Sequence, residues 1–266
     1  MAQDFRRAGL QFARDEAIRA VILRGLPGCF CSGADLKFIR GGGERQDLGY
    51  LTPNAPHEGF GEVFKQILEY IHSAISEIRR APKPFIAAVD GIAAAGGFGI
   101  AMCCDLVIAS PRACFEWAYA RTGLSGAESG TFLLPRLVGL RRAMELVYLN
   151  PRLDAARALE YGLITMVLDG DEFDRQVLEL ASRVAAGPKQ ALAAAKELLN
   201  ESTGMDRLDD HLDRELSELS RVADGNDFAE GIAAFLDKRP ARFNEPSGSE
   251  TTHARIQPRT SDVRSD

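Results

Sequence analysis

Two short segments of small residues have the composition best suited to chemistry. The segments CSGADL (31–36) and AAAGGFGIAM (93–102) each follow an apolar run and lead into a predicted helix. A helix N-terminus presents unpaired N–H groups at the positive end of the helix dipole, and residues without bulk let a ligand oxygen approach them. Two such segments facing each other would form an oxyanion hole for a carbonyl that gains negative charge. The alternative is two tight turns that bind nothing.

The composition limits the kinds of molecule that the protein is expected to bind. The 266 residues carry a formal net charge of −6 and no dense basic run, which argues against nucleic acid. A local group of lysine and arginine could still bind an anionic small molecule. The five cysteines form no disulfide framework and lack histidines at zinc spacing. We therefore predict free thiols, no metal site and a cytoplasmic protein.

The most apolar part of the chain, residues 85–109, has a composition close to that of a membrane span. Asp90 and Asp105 interrupt it, however, and several of its residues are glycines. These features favour a buried core segment, and we predict no membrane-spanning segment.

The elements that must position the two small-residue segments alternate between strand and helix. Helices are predicted over 3–17 and 62–80, and one more of about ten residues follows the second glycine-rich segment. The predicted strands are 17–25, 82–91, 105–110, 113–120 and 163–168. Strands interleaved with helices in the first half, and mostly helices after it, indicate an α/β fold with a helical C-terminal segment.

We divide the chain into three parts on this pattern. Residues 1–188 form the core, and residues 189–243 form the helical C-terminal segment, which begins after Gly187–Pro188. The tail 244–266 is polar and contains proline and serine, so we predict that it is disordered. The stretch 41–61 has the composition of a mobile loop, and residues 134–150 are predicted to form one helix.

Several motifs in order resemble those of the enoyl-CoA hydratase/isomerase family, the crotonases. They are SGADLK (32–37), PKPFIAAVDGIAAAGGFGIAMCCDLVIAS (82–110), FEWAYARTGLSGAESGTFLLPRLVG (115–139), ARALEYGL (156–163) and EGIAAFLDKRPARF (230–243). The resemblance implies a core of repeated ββα units, a homotrimer or dimer of trimers assembled through the helical C-terminal segment, and acyl-CoA thioester substrates. Coenzyme A is then part of the substrate, and no separate cofactor is expected. Family members carry a strand hairpin ahead of the first helix found here. Either the true start of the protein lies upstream of residue 1, or the protein lacks edge strands of its first sheet, which would expose a sheet edge.

The resemblance assigns binding roles by position. Ala34 and Gly96 would supply the two oxyanion N–H groups. The adenosine and pantetheine path would run along residues 34–37, which are Ala34, Asp35, Leu36 and Lys37. Phe235 and Lys238 of the last helix would close over the nucleotide.

The acid and base residues depart from the family pattern. Family hydratases use two glutamates, and the matching positions are Gly99 and Tyr119 in this chain, which argues against a two-glutamate mechanism. Several family isomerases place an acidic residue in the next loop, where Glu128 lies one residue beyond the ungapped position, and Glu128 is the candidate base. The alternative is that Glu128 is only a first-turn helix acid stabilised by the helix dipole. Tyr119 either donates a hydrogen bond, acts as a weak acid or only packs. Glu116 has the opposite strand parity to Tyr119 and is predicted to face away.

Three interpretations of the function stay open. The first is an enzyme that stabilises an enolate, either an isomerase with Glu128 as proton carrier or a hydratase of unusual mechanism. The second is a decarboxylase or C–C hydrolase of the same superfamily. The third is a non-catalytic acyl-CoA-binding subunit that assembles with active relatives, which the missing glutamates favour.

Overall fold

Three consecutive strand–strand units build the centre of the fold. The structure is a computed structural model that describes residues 1–43 and 59–243. In each unit the first strand enters one sheet and the second strand enters another. A helix follows the second strand in the first two units, and a 3-10 turn, Tyr119–Thr122, follows it in the third. This alternation produces the ββα repeat that the sequence predicted.

The first sheet is parallel and has the strand order β1–β3–β5–β8. Its central strands are rich in alanine, valine and isoleucine and are buried on both faces, as is usual where parallel strands are covered on each side. In the described part of the chain, β1 pairs only with β3. The four strands are Val21–Arg24, Phe85–Val89, Leu106–Ala109 and Met166–Val167.

The second sheet has the order β2–β4–β6–β7, with β7 antiparallel to β6. Short connections lead from β1, β3 and β5 of the first sheet to β2, β4 and β6 of the second. Gly91 permits one of them, because a Cβ there would lie 2.0 Å from the Gly28 carbonyl oxygen. The four strands are Cys29–Cys31, Ile92–Ala94, Cys114–Glu116 and Leu153–Asp154.

The helices surround the two sheets, and those of the C-terminal segment fold back over the core of the same chain. Phe228 of the last helix packs edge-on against Phe60 and Phe64, with ring centroids 5.3 and 5.4 Å apart. Among the residues described, α1 to α11 are Ala2–Arg14, Leu36–Arg40, Phe60–Arg80, Gly96–Cys103, Gly130–Val138, Leu140–Leu149, Ala155–Glu160, Phe173–Ala185, Lys189–Ser202, Leu208–Ala223 and Asn226–Leu236.

The predicted elements differ from the structure in three places. The strand predicted over 113–120 ends at Glu116, because Ala118 is left-handed at φ 61° and turns the chain out of the sheet. The single helix predicted over 134–150 is two helices separated by Gly139, whose φ is 78°. The strands β2, β4 and β7 were not predicted, because two or three residues are too few to show a strand period.

Some predictions fall outside the described residues. They concern the disordered tail, 244–266, and most of the predicted mobile loop, 44–58. Across the two described ranges, no helix is both long enough and apolar enough to cross a membrane.

Candidate active site

The two small-residue segments lie against each other, which is the arrangement that the oxyanion-hole interpretation requires. Gly33 has a left-handed φ of 97°, and a Cβ built on it would lie 2.9 Å from the Ala95 Cβ and 3.6 Å from the Gly96 nitrogen. A side chain at position 33 would therefore separate the segments. Glycine here keeps the backbones of the two loops in contact.

The N–H groups of Ala34 and Gly96 are free to bind a ligand. Neither donates a hydrogen bond to any residue in the ranges 1–43 and 59–243. Gly96 is the first residue of α4, so its N–H lies at the positive end of that helix. Gly97 lets the helix approach β2, because a Cβ there would lie 2.0 Å from the Cys31 carbonyl oxygen. The arrangement fits the predicted oxyanion hole.

Backbone strain is concentrated around this site. Ala95, Ala118, Glu128 and Ser129 all have positive φ, at 47°, 61°, 51° and 62°. Each such residue costs on the order of 1 kcal/mol or more unless its surroundings hold it. Strain of this kind accumulates where a structure positions groups for function.

The Glu128 carboxyl group lies directly beside Gly96. Its Oε1 would be 3.1 Å from a Cβ built on Gly96, and the residue is only 7% exposed. Burial raises the pKa of Glu128 to about 7, and the negative charge of Glu215 adds to this effect. A carboxyl group with such a pKa can both remove and return a proton near neutral pH.

Tyr119 is the hydrogen-bond partner of this carboxyl group. Its hydroxyl donates to Glu128 Oε2, and this bond acts on the Glu128 pKa in the downward direction, against the effect of burial. Burial and the Glu128 charge raise the pKa of the Tyr119 phenol well above its usual value, so it stays a neutral donor. Of the roles left open by the sequence, hydrogen-bond donation is the one that the geometry supports.

Gly99 leaves room for Glu128. A Cβ at position 99 would lie 2.7 Å from both the Cβ and the carbonyl oxygen of Glu128. The backbone and Cβ of Glu128 therefore occupy the space beside this helix into which a side chain at 99 would project. The missing glutamate at position 99 and the presence of Glu128 are two aspects of one packing arrangement.

Trp117 supports the loop from behind. Its ring packs against Phe98 and Tyr119, with centroids 6.1 and 5.1 Å apart. A Cβ on Gly126 would lie 2.3 Å from the indole, so glycine at this position lets the loop rest on the ring. The site is thus held by close packing as well as by hydrogen bonds.

The prediction that Glu116 faces away from the site is wrong. Because the strand ends at Glu116, strand parity does not extend to Tyr119, and the buried Glu116 lines the same cavity. Arg121 Nη2 and Arg152 Nε each lie 2.8 Å from its carboxylate oxygens, and Asn150 donates to it at 3.1 Å. This carboxylate is therefore paired with two cations and is a poor candidate for a base.

A cavity of about 630 Å³ extends from Gly96, Tyr119 and Glu128 to the residues of the predicted coenzyme A path. Residues 34–37 line it, although the Asp35 carboxylate also caps α2 by accepting from the Lys37 N–H at 2.9 Å. Phe235 lines the opposite wall and is 59% exposed. Lys238 follows the end of α11 with φ 55° and does not line the cavity that the described residues form.

A second cavity, of about 420 Å³, meets the first at Gly96 and Glu128. Its walls come from α1, α2, α3 and α4, and most of the side chains in them are apolar. They include Phe38, Ile67, Ile71 and Ile100, with Tyr70 as a polar exception. This space fits the apolar part of an acyl group, with the carboxyl group of Glu128 at its inner end.

Comparison with known proteins identifies the family. The family model described as enoyl-CoA hydratase/isomerase matches residues 1–246. The chain belongs to the enoyl-CoA hydratase/isomerase family. It is therefore an enzyme of the crotonase group, and the folded chain carries the crotonase-like architecture that the motifs predicted.

Relatives within the enoyl-CoA hydratase/isomerase family differ in their chemistry. The chain is 34% identical to a 1,2-epoxyphenylacetyl-CoA isomerase of Escherichia coli, covering 88% of this chain and 84% of that one. It is 30% identical to a 4-chlorobenzoyl coenzyme A dehalogenase of Arthrobacter, covering 84% and 76%. The crystal structure of an enoyl-CoA hydratase from Mycobacterium avium subsp. paratuberculosis superposes with a TM-score of 0.78 at 31% identity, covering 92% and 87%.

One residue that contacts the Glu128 loop, Glu215, was not identified from the sequence. Glu215 of α10 accepts hydrogen bonds from the Ser129 and Thr131 N–H groups next to Glu128. In the sequence it is one of many acidic residues on an amphipathic helix, 86 positions from Ser129. Its inward position on that helix gives only a weak signal.

Proposed function

We propose that this enzyme moves a double bond within an acyl-CoA thioester, with Glu128 as the proton carrier. The observation that carries the proposal is the position of the Glu128 carboxyl group beside the free Gly96 N–H. A base next to an oxyanion hole can remove a proton from the carbon adjacent to the thioester carbonyl. The absence of carboxylates at Gly99 and Tyr119 argues against the two-glutamate hydration mechanism.

The proposed reaction has two proton transfers. The Glu128 carboxylate removes a proton from C2 of a 3-enoyl thioester, and the electrons of that C–H bond form a C1–C2 double bond and place the negative charge on the carbonyl oxygen. The C3–C4 double bond conjugates with this enolate and carries its electron density to C4. The protonated Glu128 then returns the proton to C4, and the double bond forms between C2 and C3. No atom is gained or lost and the oxidation state does not change, so the reaction needs no cofactor beyond the coenzyme A of the substrate.

The N–H groups of Ala34 and Gly96 stabilise the enolate in this mechanism. Each such donor is worth roughly 3 kcal/mol of transition-state stabilisation in a site that excludes water. Tyr119 orients Glu128, since its hydroxyl is bonded to one carboxyl oxygen and leaves the other facing Gly96. Asp35, Leu36, Lys37 and Phe235 are the proposed contacts of coenzyme A, supported by their place in the larger cavity.

The remaining proposals concern the assembly and the location of the enzyme. We propose a homotrimer or dimer of trimers, in which Lys238 meets the nucleotide only when subunits come together. The chemistry and the unpaired thiols fit a protein of the cytoplasm. The negative net charge argues against binding to nucleic acid.

Deuterium incorporation tests the proposed reaction. The purified protein is incubated in D₂O with 2-enoyl-, 3-enoyl- and 3-hydroxyacyl-CoAs, and products are analysed by mass spectrometry. We expect deuterium uptake and interconversion of the 2- and 3-enoyl thioesters. E128Q should lower the rate by about 10²–10⁴-fold, the usual contribution of a general base, while acyl-CoA binding stays close to that of the unmodified protein.

Four outcomes would contradict the proposal. A gain of water would indicate a hydratase, and loss of CO₂ or cleavage of a C–C bond in suitable substrates would indicate the second interpretation. Binding of acyl-CoA without any exchange would indicate a non-catalytic subunit. Full exchange activity in E128Q would remove Glu128 from the mechanism.

A further inference from the structure

Glu215 provides the N-terminal cap of α5, the helix that follows Glu128. Its Oε2 accepts from the Ser129 N–H at 2.8 Å and its Oε1 accepts from the Thr131 N–H at 2.9 Å. The Thr131 hydroxyl also donates to Oε1. One carboxylate thus accepts hydrogen bonds from three donors at a buried helix end.

The local sequence cannot form this cap by itself. Ser129 stands at the N-cap position, where serine usually accepts from the first turn of a helix. Its backbone is left-handed at φ 62°, it makes no cap hydrogen bond, and its buried Oγ has no partner among the residues described. The consecutive left-handed residues Glu128 and Ser129 therefore depend on an acceptor from another helix.

Two histidines flank the buried carboxylate of Glu215. The residue is 5% exposed, and His72 Nε2 and His211 Nε2 lie 3.8 and 3.6 Å from its oxygens. Burial lowers the pKa of His72 to about 4, so this imidazole is neutral at pH 7 even with Glu215 and Asp213 nearby. His211 Nε2 also lies 2.8 Å from the Thr131 hydroxyl oxygen.

We propose that Glu215 is a positioning residue for Glu128, with two separable effects. Its hydrogen bonds hold the strained backbone that directs Glu128 toward Gly96. Its negative charge, buried behind the loop, favours the protonated form of the Glu128 carboxyl group. The inference rests on the proposed function only where it concerns turnover, because the placement and titration of Glu128 are properties of the protein alone.

Two variants separate the effects. E215Q removes the charge and keeps the side-chain length and one acceptor oxygen. We expect the midpoint of Glu128 titration to fall by on the order of one pH unit, the size expected from removing one charge at an effective dielectric constant near 20. E215D keeps the charge but is one methylene too short to reach both N–H groups. We expect its midpoint to stay in place and its turnover to fall by on the order of 100-fold, as for a misplaced base.

Infrared difference spectroscopy of the ligand-free protein gives the titration directly. The carbonyl band of the protonated Glu128 is identified by its loss in E128Q, and its intensity is followed from pH 5 to pH 9. E116Q is the matched control, since it also removes a buried cavity carboxylate, but one already paired with Arg121 and Arg152. We expect E116Q to leave the Glu128 midpoint unchanged.

The proposal is overturned if E215Q leaves the Glu128 midpoint unchanged, or if E215D keeps full turnover. Circular dichroism and Tm measurements establish that each variant is folded before it is titrated. Failure of the proposed function would look different. In that case no acyl-CoA would exchange deuterium, while the infrared midpoint of E215Q would still shift.

Discussion

At the scale of single residues, the burial of Glu128 and its hydrogen bond from Tyr119 together set the pH range in which the proposed base can act. The proposed base acts as a carboxylate, so activity should rise with pH through a midpoint near the Glu128 pKa of about 7. The Tyr119 hydroxyl favours the carboxylate form. Y119F should therefore move this midpoint upward, and activity at pH 6 should fall more than activity at pH 9.

The pH dependence of kcat/KM for Y119F checks this prediction. Y70F is a suitable control, because Tyr70 lines the smaller cavity, which Glu128 also lines, and makes no hydrogen bond to Glu128. We expect the Y70F midpoint to match that of the unmodified enzyme. A downward shift in Y119F would mean that the phenol stabilises the protonated carboxyl group instead.

The sequence predicted the candidate acid and base residues more fully than their surroundings. Glu128 and Tyr119 follow from the motif and from two missing glutamates, and the structure brings them together. The contribution of Glu215 could not be predicted, since it depends on a contact between α10 and the start of α5. The orientation of Glu116 was predicted wrongly, because one left-handed alanine cancels strand parity.

At the scale of elements, the contact between the Gly33 and Ala95 loops sets the distance between the two proposed oxyanion donors. G33A should force the loops apart, since the new Cβ would lie 2.9 Å from the Ala95 Cβ. We expect kcat to fall by about 10²–10³-fold, the cost of losing one such donor. Because φ is 97° at position 33, the alanine of G33A should also lower the free energy of unfolding by about 1–2 kcal/mol.

G28A separates strain from the loss of geometry. Gly28 has a similar φ of 78°, but a Cβ there would meet no atom within 4 Å. Both variants should lose stability in thermal unfolding, G33A the more because its Cβ also clashes with Ala95, and only G33A should lose turnover. Equal kcat values for G33A and G28A would show that the loop contact is not required for catalysis.

The larger elements were predictable because each has a clear period or boundary signal. The long helix Phe60–Arg80 and the apolar strand Phe85–Val89 lie close to their predicted positions. The strands of the second sheet were missed or overextended because they have only two or three residues and are defined by pairing with distant segments. Tertiary hydrogen bonds, absent from any local pattern, create them.

At the scale of the whole molecule, Glu128 links stability to pH. Its folded pKa of about 7 is above the usual value of 4.5. The folded state therefore holds an extra proton between these values, and Glu128 lowers the free energy of unfolding as pH rises through this window. The E128Q variant has no carboxyl group that titrates at this position, so it does not lose this stability as pH rises. Its stability relative to the unmodified protein should increase by about 3 kcal/mol between pH 4.5 and pH 7 and then level off.

Urea denaturation at a series of pH values measures this difference. His72 acts in the opposite direction, because its folded pKa is lowered from 6.5 to about 4 and its contribution to stability is lost as pH falls below 6.5. It is common to both proteins and cancels in the comparison. A difference that stays constant from pH 4.5 to pH 8 would show that Glu128 titrates like an exposed carboxyl group.

The close contact between Gly99 and Glu128 also limits how such an enzyme can change over generations. A lineage with this loop cannot gain a glutamate at position 99 while Glu128 keeps its place, because the two would occupy the same space. Descent from one catalytic arrangement to the other must alter both positions or rebuild the loop between them. A glutamate gained at position 99 alone would clash with Glu128, and loss of Glu128 alone would remove the proposed base, so neither single substitution converts one arrangement into the other.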